Sequence, residues 1–510
     1  MNPFPAALRE GRFCYVVELV ASALKREAQV LEVASRLAGL PDVVAGSITS
    51  YAGGSIGHDP IRVGTAARAR GLTPSVHVTC VSEDRHGLTK TLEDLHALGI
   101  ENIFALTGDY PKTASAQPPV FDLDSVQLVR LIADLRRQGM AFHIAVAVSP
   151  FKYVEADCVY QYLKLEKKIA AGADCAITQV GWDSRKFREL MSYLHERDLR
   201  IPVLGNVYAL GLRAAEKMAQ GEPPGCWVSP ALLQRVREEG ARPDKGLGAR
   251  LERAARLVAV LRGLGYAGAY IGGTHDAEQV AWIIRRGAEL APRWEELAEE
   301  LDFGAADGFY LYESTRSSAP FAPAPSIADP PRAEHRRPPR IESAAPARAP
   351  ATGSGGRLVP RLLDLMGRLA PVTRDTWLRR MLRALAGWAD RRPRVAAGVE
   401  RLELLVKQPL FGCQACGNCV LSYMEYVCPQ TCPKQMRNGP CGGTSFGHCE
   451  VIDQPCIWGA VYERATAQAR VPDLRVYIPP PDRSLQGTSS WINYLLERDR
   501  RPRDPGESIV

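Results

Sequence analysis

No stretch of the chain approaches the ~18 uninterrupted apolar residues that a membrane-spanning helix requires, so no membrane segment is expected. The start, Met1-Asn2-Pro3-Phe4-Pro5, has neither a basic n-region nor an apolar h-region. A secretory leader is therefore not expected, and the cytoplasm is the expected compartment. Aromatic residues are sparse, at 7%, and are not interleaved with the basic ones. That bears on the net charge of +7, which alone would invite a nucleic-acid partner. The basic excess is local. Ser314–Arg357 holds seven arginines against three acids and Leu358–Leu405 holds ten against five, which leaves the rest of the chain close to neutral. No nucleic-acid partner is expected. The first strand–helix turn also lacks a G-x-G-x-x-G, which argues against an open dinucleotide-binding sheet.

What is there describes a globular chain with a large core, since 46% of 510 residues are hydrophobic and 24% charged. From Phe13 to about Glu313, short β-branched runs alternate with amphipathic segments. The strand candidates are Cys14–Val20, Val43–Ser50, Ser75–Cys80, Asn102–Gly108, Phe142–Val148, Cys175–Gly181, Val203–Val207 and Gly268–Gly273. The helix candidates between them include Ala23–Leu40, Asp84–Leu98, Ser125–Gln138, Cys158–Ala171 and Ser184–Glu196, then Leu210–Gln220, Pro230–Glu239 and Gly248–Leu264. Eight βα units of this kind predict an α/β fold, a closed (β/α)8 TIM barrel over residues 1–313. Residues 314–357 carry nine prolines with Ala, Arg, Ser and Gly, a composition that predicts a disordered linker. Residues 358–407 space leucines at helical intervals around Pro371 and Pro393, and predict a pair of packing helices. A small Cys-rich domain is expected over 408–470, and Pro/Arg-rich loops over 471–510.

In such a barrel the active site lies at the carboxyl ends of the strands. Glu18 falls there on strand one, Thr49 on strand two, His77 and Thr79 on strand three, and Asp109 after strand four. Gln179 ends strand six, Asn206 strand seven, and Thr274 and His275 follow strand eight. Glu18 stands inside an apolar strand, where burial would raise the pKa of a carboxyl group and suit it to acid–base work near neutrality. The plain alternative is a strand-end glutamate bonded to loop amides.

Several of these residues belong to longer motifs: His77-Val78-Thr79-Cys80, His96-Ala97-Leu98-Gly99-Ile100 and Leu106-Thr107-Gly108-Asp109. Leu165-Glu166-Lys167-Lys168-Ile169-Ala170-Ala171-Gly172-Ala173-Asp174 then leads into Ala176-Ile177-Thr178-Gln179. In order and spacing, residues 13–290 resemble the flavin-dependent methylenetetrahydrofolate reductases. The resemblance implies reduction of 5,10-methylenetetrahydrofolate to 5-methyltetrahydrofolate through bound FAD, within tetrahydrofolate interconversion, the product feeding methionine biosynthesis or one-carbon catabolism. It makes Glu18 the acid that protonates the folate nitrogen and Asp109 the carboxylate that stabilises the cationic iminium. Gln179 would hydrogen-bond the folate ring. Thr49, His77, Thr107, Gly108, Asp109, Lys167 and Lys168 would contact the cofactor, with the two lysines on its pyrophosphate.

The chain departs from the family pattern at four places. Val148-Ser149-Pro150-Phe151-Lys152 replaces the aromatic, proline, acid and histidine series usual after strand five in bacterial members. Thr107 replaces an arginine, Leu212 a phenylalanine, and Asp276 stands opposite an arginine that helps bind folate and NADH. The catalytic carboxylates are kept while the nicotinamide site is altered, so the electron donor is either NAD(P)H or a redox protein such as ferredoxin. Self-association into a homo-oligomer is left open.

Eight of the thirteen cysteines lie between Cys413 and Cys456, in the pattern Cys413-x2-Cys416-x2-Cys419-x8-Cys428-x3-Cys432, then Cys441, Cys449 and Cys456. Without a secretory leader, clustered thiols point to metal rather than disulfides. Eight thiolates would serve two [4Fe–4S] clusters or two zinc ions with four cysteine ligands each. The segment Gly412–Arg464 is similar to the C-terminal domain that accompanies some methylenetetrahydrofolate reductases, which implies clusters that pass electrons to the flavin. A second reading makes the barrel a folate-binding partner of a methyltransferase system, with a structural zinc in the cysteine domain. The Pro-rich linker predicts a barrel complete in itself, coupled to the cysteine domain through electrons rather than through folding.

Overall fold

The computed structural model describes residues 2–20, 27–49, 59–111, 118–312 and 376–499. The expected linker at 314–357, the first part of the expected helical segment at 358–375, and the last residues of the tail lie outside the described residues. The chain divides into two compact units, one built on the barrel and the other on residues 376–439 and 454–499. The short segment Pro440–Asp453 belongs with the barrel.

Eight parallel strands close the barrel in sequence order: β1 (Cys14–Leu19), β2 (Val43–Ile48), β3 (Pro74–Thr79), β4 (Asn102–Leu106), β5 (His143–Val148), β6 (Cys175–Thr178), β7 (Val203–Tyr208) and β8 (Gly268–Gly272). Closure is made by β1 on β8, with Cys14 opposite Gly268 and Val17 opposite Ile271. The strands are apolar on both faces because the outer face meets helices and the inner face meets the other strands. Inside, Val16, Ala45, Phe104, Ala145, Ile177, Leu204 and Tyr270 fill the bore.

The amino-terminal end of the bore is covered by α1 (Pro3–Arg9), a helix that the sequence pattern does not separate. Asn2 caps it and also donates to Asn102 Oδ1 at 2.8 Å, while Phe4 packs edge-on against His143 at 4.9 Å. The outer helices are α2 (Glu27–Leu37), α3 (Pro60–Ala69), α4 (Arg85–Ala97), α5 (Ser125–Arg137), α6 (Glu155–Ala171), α7 (Ser184–Glu196), α8 (Leu212–Ala219), α9 (Pro230–Gly240), α10 (Leu247–Gly263), α11 (Ala277–Leu290) and α12 (Trp294–Glu300). Aspartates start many of them. Asp84, Asp124, Asp183 and Asp276 each accept from backbone amides of the first turn, where the helix leaves its donors unsatisfied. Asp276, one of the departures from the family pattern, is therefore the N-cap of α11.

In the second unit, α13 (Trp377–Asp390) and α14 (Pro393–Phe411) form the expected helix pair, with Pro393 in the first turn of α14 rather than breaking it. The tail is not all loop. Ser489 caps α16 (Ser490–Leu495), and Ile492 packs on Ala386 and Ala389 of α13. Between lie the cysteine turns and α15 (Ile457–Ala467). Among the described residues, no helix is long and apolar enough to cross a membrane.

Candidate active site and thiol cavity

Glu18 sits near the carboxyl end of β1, in register with Ser47 of β2. Its Oε2 lies 2.9 Å from where a Cβ on Gly272 of β8 would be, so only a glycine lets the carboxylate lie across that strand. Asp109 follows β4 through Gly108, whose φ of +85° fits glycine, and a Cβ there would meet Val81 at 2.4 Å. Both carboxylates act on one buried thiol. Burial pushes Cys226, in the loop after α8, up to about 12, and the charges of Asp109 and Glu18 add to it. The same Glu18 charge reaches Tyr208 at the end of β7, which burial chiefly holds up at about 12.

His77 points at Ser47, with ring nitrogen and Oγ 2.8 Å apart, and stacks edge-on with Phe104. Burial holds its pKa down at about 3, so the ring is neutral at ordinary pH. Thr49, Thr107 and Asn206 are buried at the ends of β2, β4 and β7, and Ser149 is buried just after β5. The Thr107 Oγ1, Ser149 Oγ and Asn206 Oδ1 atoms have no hydrogen-bond partner among the described residues, a costly state unless a ligand supplies one. Gln179, just after β6, turns its Oε1 back to the Val180 amide at 2.9 Å.

Lys164, Lys167 and Lys168 all lie buried on α6. Burial pushes Lys167 and Lys168 down to about 7, each feels repulsion from Lys164, and the opposing carboxylate is Asp124. Lys168 Nζ donates to the Ala147 carbonyl at 2.6 Å. Buried positive charge in excess of its carboxylates is a site for an anion. With the orphaned strand-end hydroxyls, this donor set fits a cofactor that carries a pyrophosphate and a polar ring.

Four of the eight clustered thiols share one cavity. Cys413, Cys416, Cys419 and Cys428 line a single cavity together with Glu403, Asn418 and Ser490. Burial raises the Cys428 thiol to about 12, and the neighbouring sulfurs of Cys416, Cys413 and Cys419 add to that, as four converging thiols must. Lys407 Nζ stands 3.5 Å from Cys419 Sγ and Arg437 3.9 Å from Cys416 Sγ, charges that would offset thiolates. Cys432 and Cys456 belong to the same unit but not to that lining. Cys441 and Cys449 lie on the segment that packs with the barrel. Among the described residues, no three metal-ligating side chains stand at binding distance of one point. The four-thiol cavity fits a metal by its donors.

Lys152, Asp157, Lys164 and Cys226 are residues of this end of the barrel that sequence reasoning does not find. Lys152 stands out in the sequence only as a departure from the family pattern, and Cys226 only as a scattered cysteine.

Residues 4–238 match the family model described as methylenetetrahydrofolate reductase, and residues 393–484 match the one described as methylene-tetrahydrofolate reductase C terminal. The 5,10-methylenetetrahydrofolate reductase of Salmonella typhimurium is 36% identical over 129 residues, which is 25% of this chain and 39% of that protein. Its Escherichia coli counterpart is 35% identical over the same shares. Methylenetetrahydrofolate reductase 2 of Schizosaccharomyces pombe is 26% identical over 250 residues, 44% of this chain and 37% of its own. The chain thus spans 37% to 39% of the length of these curated relatives. The chain thus carries a methylenetetrahydrofolate reductase domain over residues 4–238, and over residues 393–484 the C-terminal domain described for the same enzymes.

Proposed function

We propose that the chain reduces 5,10-methylenetetrahydrofolate to 5-methyltetrahydrofolate with bound FAD. The observation that carries the reading is that Glu18 of β1 and Asp109 after β4 both lie near enough to one buried thiol, Cys226, for their charges to act on it. Glu18 donates a proton to the folate nitrogen as the five-membered ring opens, and Gly272 leaves room for the carboxyl group to do so. Asp109 holds a negative charge against the cationic carbon–nitrogen double bond of the opened substrate. Gln179 binds the folate ring through its amide nitrogen, since its oxygen is committed to Val180.

FAD, when bound, supplies the hydride. Lys167 and Lys168 hold its pyrophosphate, and Thr49, His77, Thr107 and Gly108 orient its ring system. The neutral His77 serves as a hydrogen-bonding group there rather than as a charge. Cys413, Cys416, Cys419 and Cys428 hold one [4Fe–4S] cluster or one zinc ion, for either of which four thiolates suffice. A cluster would accept electrons from a redox protein such as ferredoxin. Asp276 caps a helix where NADH-using relatives have an arginine, which favours such a donor over NAD(P)H. The cytoplasm remains the expected compartment, since dense thiols persist in reducing surroundings.

Anaerobic purification of the full chain, followed by flavin, iron, sulfide and zinc analysis and a folate reduction assay with dithionite-reduced protein, tests this reading. Stoichiometric FAD and turnover of methylenetetrahydrofolate are expected. A colourless zinc protein that binds folate without reducing it would replace the reading with that of a folate-binding partner.

A further inference from the structure

The segment Pro440–Gly447 comes from the cysteine-rich part of the sequence, yet it lies on the barrel, held by buried charged groups. Lys152, 3% exposed and just after β5, donates to the Gly442 carbonyl at 2.7 Å and also to that of Thr444. Lys164 of α6 donates to the Pro440 carbonyl at 2.8 Å, and Asp157 of α6 accepts from the Gly447 amide at 2.9 Å. Phe446 completes the attachment, stacked on Tyr153 and edge-on to Trp227.

The segment runs past the residue expected to bind the folate ring. A Cβ on Gly225 would stand 2.5 Å from the Gly442 carbonyl oxygen and 3.5 Å from Gln179 Nε2, so carbonyl and amide flank the same point. Gly225 has a φ of +80°, and its lack of a side chain is what lets the segment approach. The loops after β5, β6 and α8 thus come together around Gly442.

We propose that Pro440–Gly447 forms one wall of the folate pocket and that Lys152 is the positioning residue that holds it against Gln179; this rests on the folate-reductase reading above. A buried ammonium group satisfied by two carbonyls fixes both the height and the direction of that backbone. Gln179 is bonded on one side to Val180, and the Gly442 peptide lies across Gly225 from its amide nitrogen. Substrate affinity should therefore depend on a residue that does not itself touch substrate.

The test uses the full chain with Lys152→Met, Lys152→Arg and, as an independent perturbation, Gly225→Ala. Hydrogen exchange of residues 441–447 is measured alongside the affinity for 5-methyltetrahydrofolate and flavin reduction by an artificial donor. Lys152→Met and Gly225→Ala should each speed exchange in that segment. Each should also weaken folate binding by roughly tenfold, the size of one charge-assisted hydrogen bond, with flavin reduction unchanged. Lys152→Arg should recover part of the affinity. Faster exchange with unaltered folate affinity would overturn the proposal and leave the segment a structural brace. Unaltered exchange in Lys152→Met and Gly225→Ala would overturn the anchoring itself. If the unsubstituted chain did not bind 5-methyltetrahydrofolate, the folate reading would fail first, and the exchange data would still report on the anchor.

Discussion

If FAD is held as proposed, the two lysines of α6 make its binding a proton-coupled event. Lys167 and Lys168 are 5% and 6% exposed, and burial pushes both down to about 7. Between about pH 7 and the ordinary lysine range near ~10.4, the unfolded chain keeps protons that the folded, flavin-free chain has shed. Stability of the flavin-free protein should therefore rise with pH across that window, by at most about 1.4 kcal/mol per pH unit per lysine. Below pH 7 both states are protonated, and the penalty of the buried charges is present in full. A bound pyrophosphate reverses the preference, because it favours the charged lysines. Above pH 7 FAD must then bind together with a proton, and its Kd should weaken by about tenfold per pH unit for each lysine recharged. Flavin fluorescence titrations from about pH 6 to 9.5 at fixed ionic strength, paired with melts of the flavin-free protein, measure both slopes. Lys167→Met and Lys168→Met should each remove one lysine's share of the slope. A Kd independent of pH from 7 to 9, or a slope that survives the double substitution, would refute the buried-lysine account.

The barrel is readable from the sequence because its strands are buried on both faces. All eight candidates are strands, most within two residues of the expected ends, since an apolar β-branched run has few alternatives once helices flank it. Polar helices at the edges are harder. Neither α3 nor α11 separates in the sequence pattern, and α1 starts with two prolines that read as loop. The candidate carboxylates follow from position alone, because strand ends at one face of a barrel are its site. The anchored segment could not be foreseen. Lys152 reaches a carbonyl 290 residues away, and no local pattern encodes a contact of that range. Cysteine spacing groups Cys441 with the other thiols, whereas packing places it on the barrel. Two apparent departures from the family also acquire physical reasons: Asp276 caps α11, and Lys152 holds the Gly442 backbone.

Glu18→Gln should keep FAD and slow the folate half-reaction by roughly 10²–10⁴-fold, the span of a lost general acid; stopped-flow oxidation of reduced flavin by methylenetetrahydrofolate reads it, and near-normal rates would remove the proton-donor role. Asp109→Asn should slow that same half-reaction more than flavin reduction by an artificial donor, and equal slowing would make Asp109 a flavin ligand only. Glu189 accepts from Lys186 at 2.9 Å and from Tyr162 at 2.6 Å with both ions buried, so Glu189→Gln should destabilise the chain by about 3–5 kcal/mol in denaturant melts. The last expectation reverses the sequence reading of a self-sufficient barrel. A chain ending at Glu313 loses the carbonyls that satisfy Lys152 and Lys164 and the amide bound to Asp157, three groups exposed by 3%, 2% and 3%. Lys152 must then rehydrate by loosening the loop after β5, because a buried ion stripped of its partners costs about 3–5 kcal/mol. The truncated barrel should melt below the full chain and reduce folate poorly even when dithionite supplies the electrons. If it matched the full chain in both respects, the segment would be a passenger on the barrel, and the coupling between the two parts of the sequence would be electronic alone.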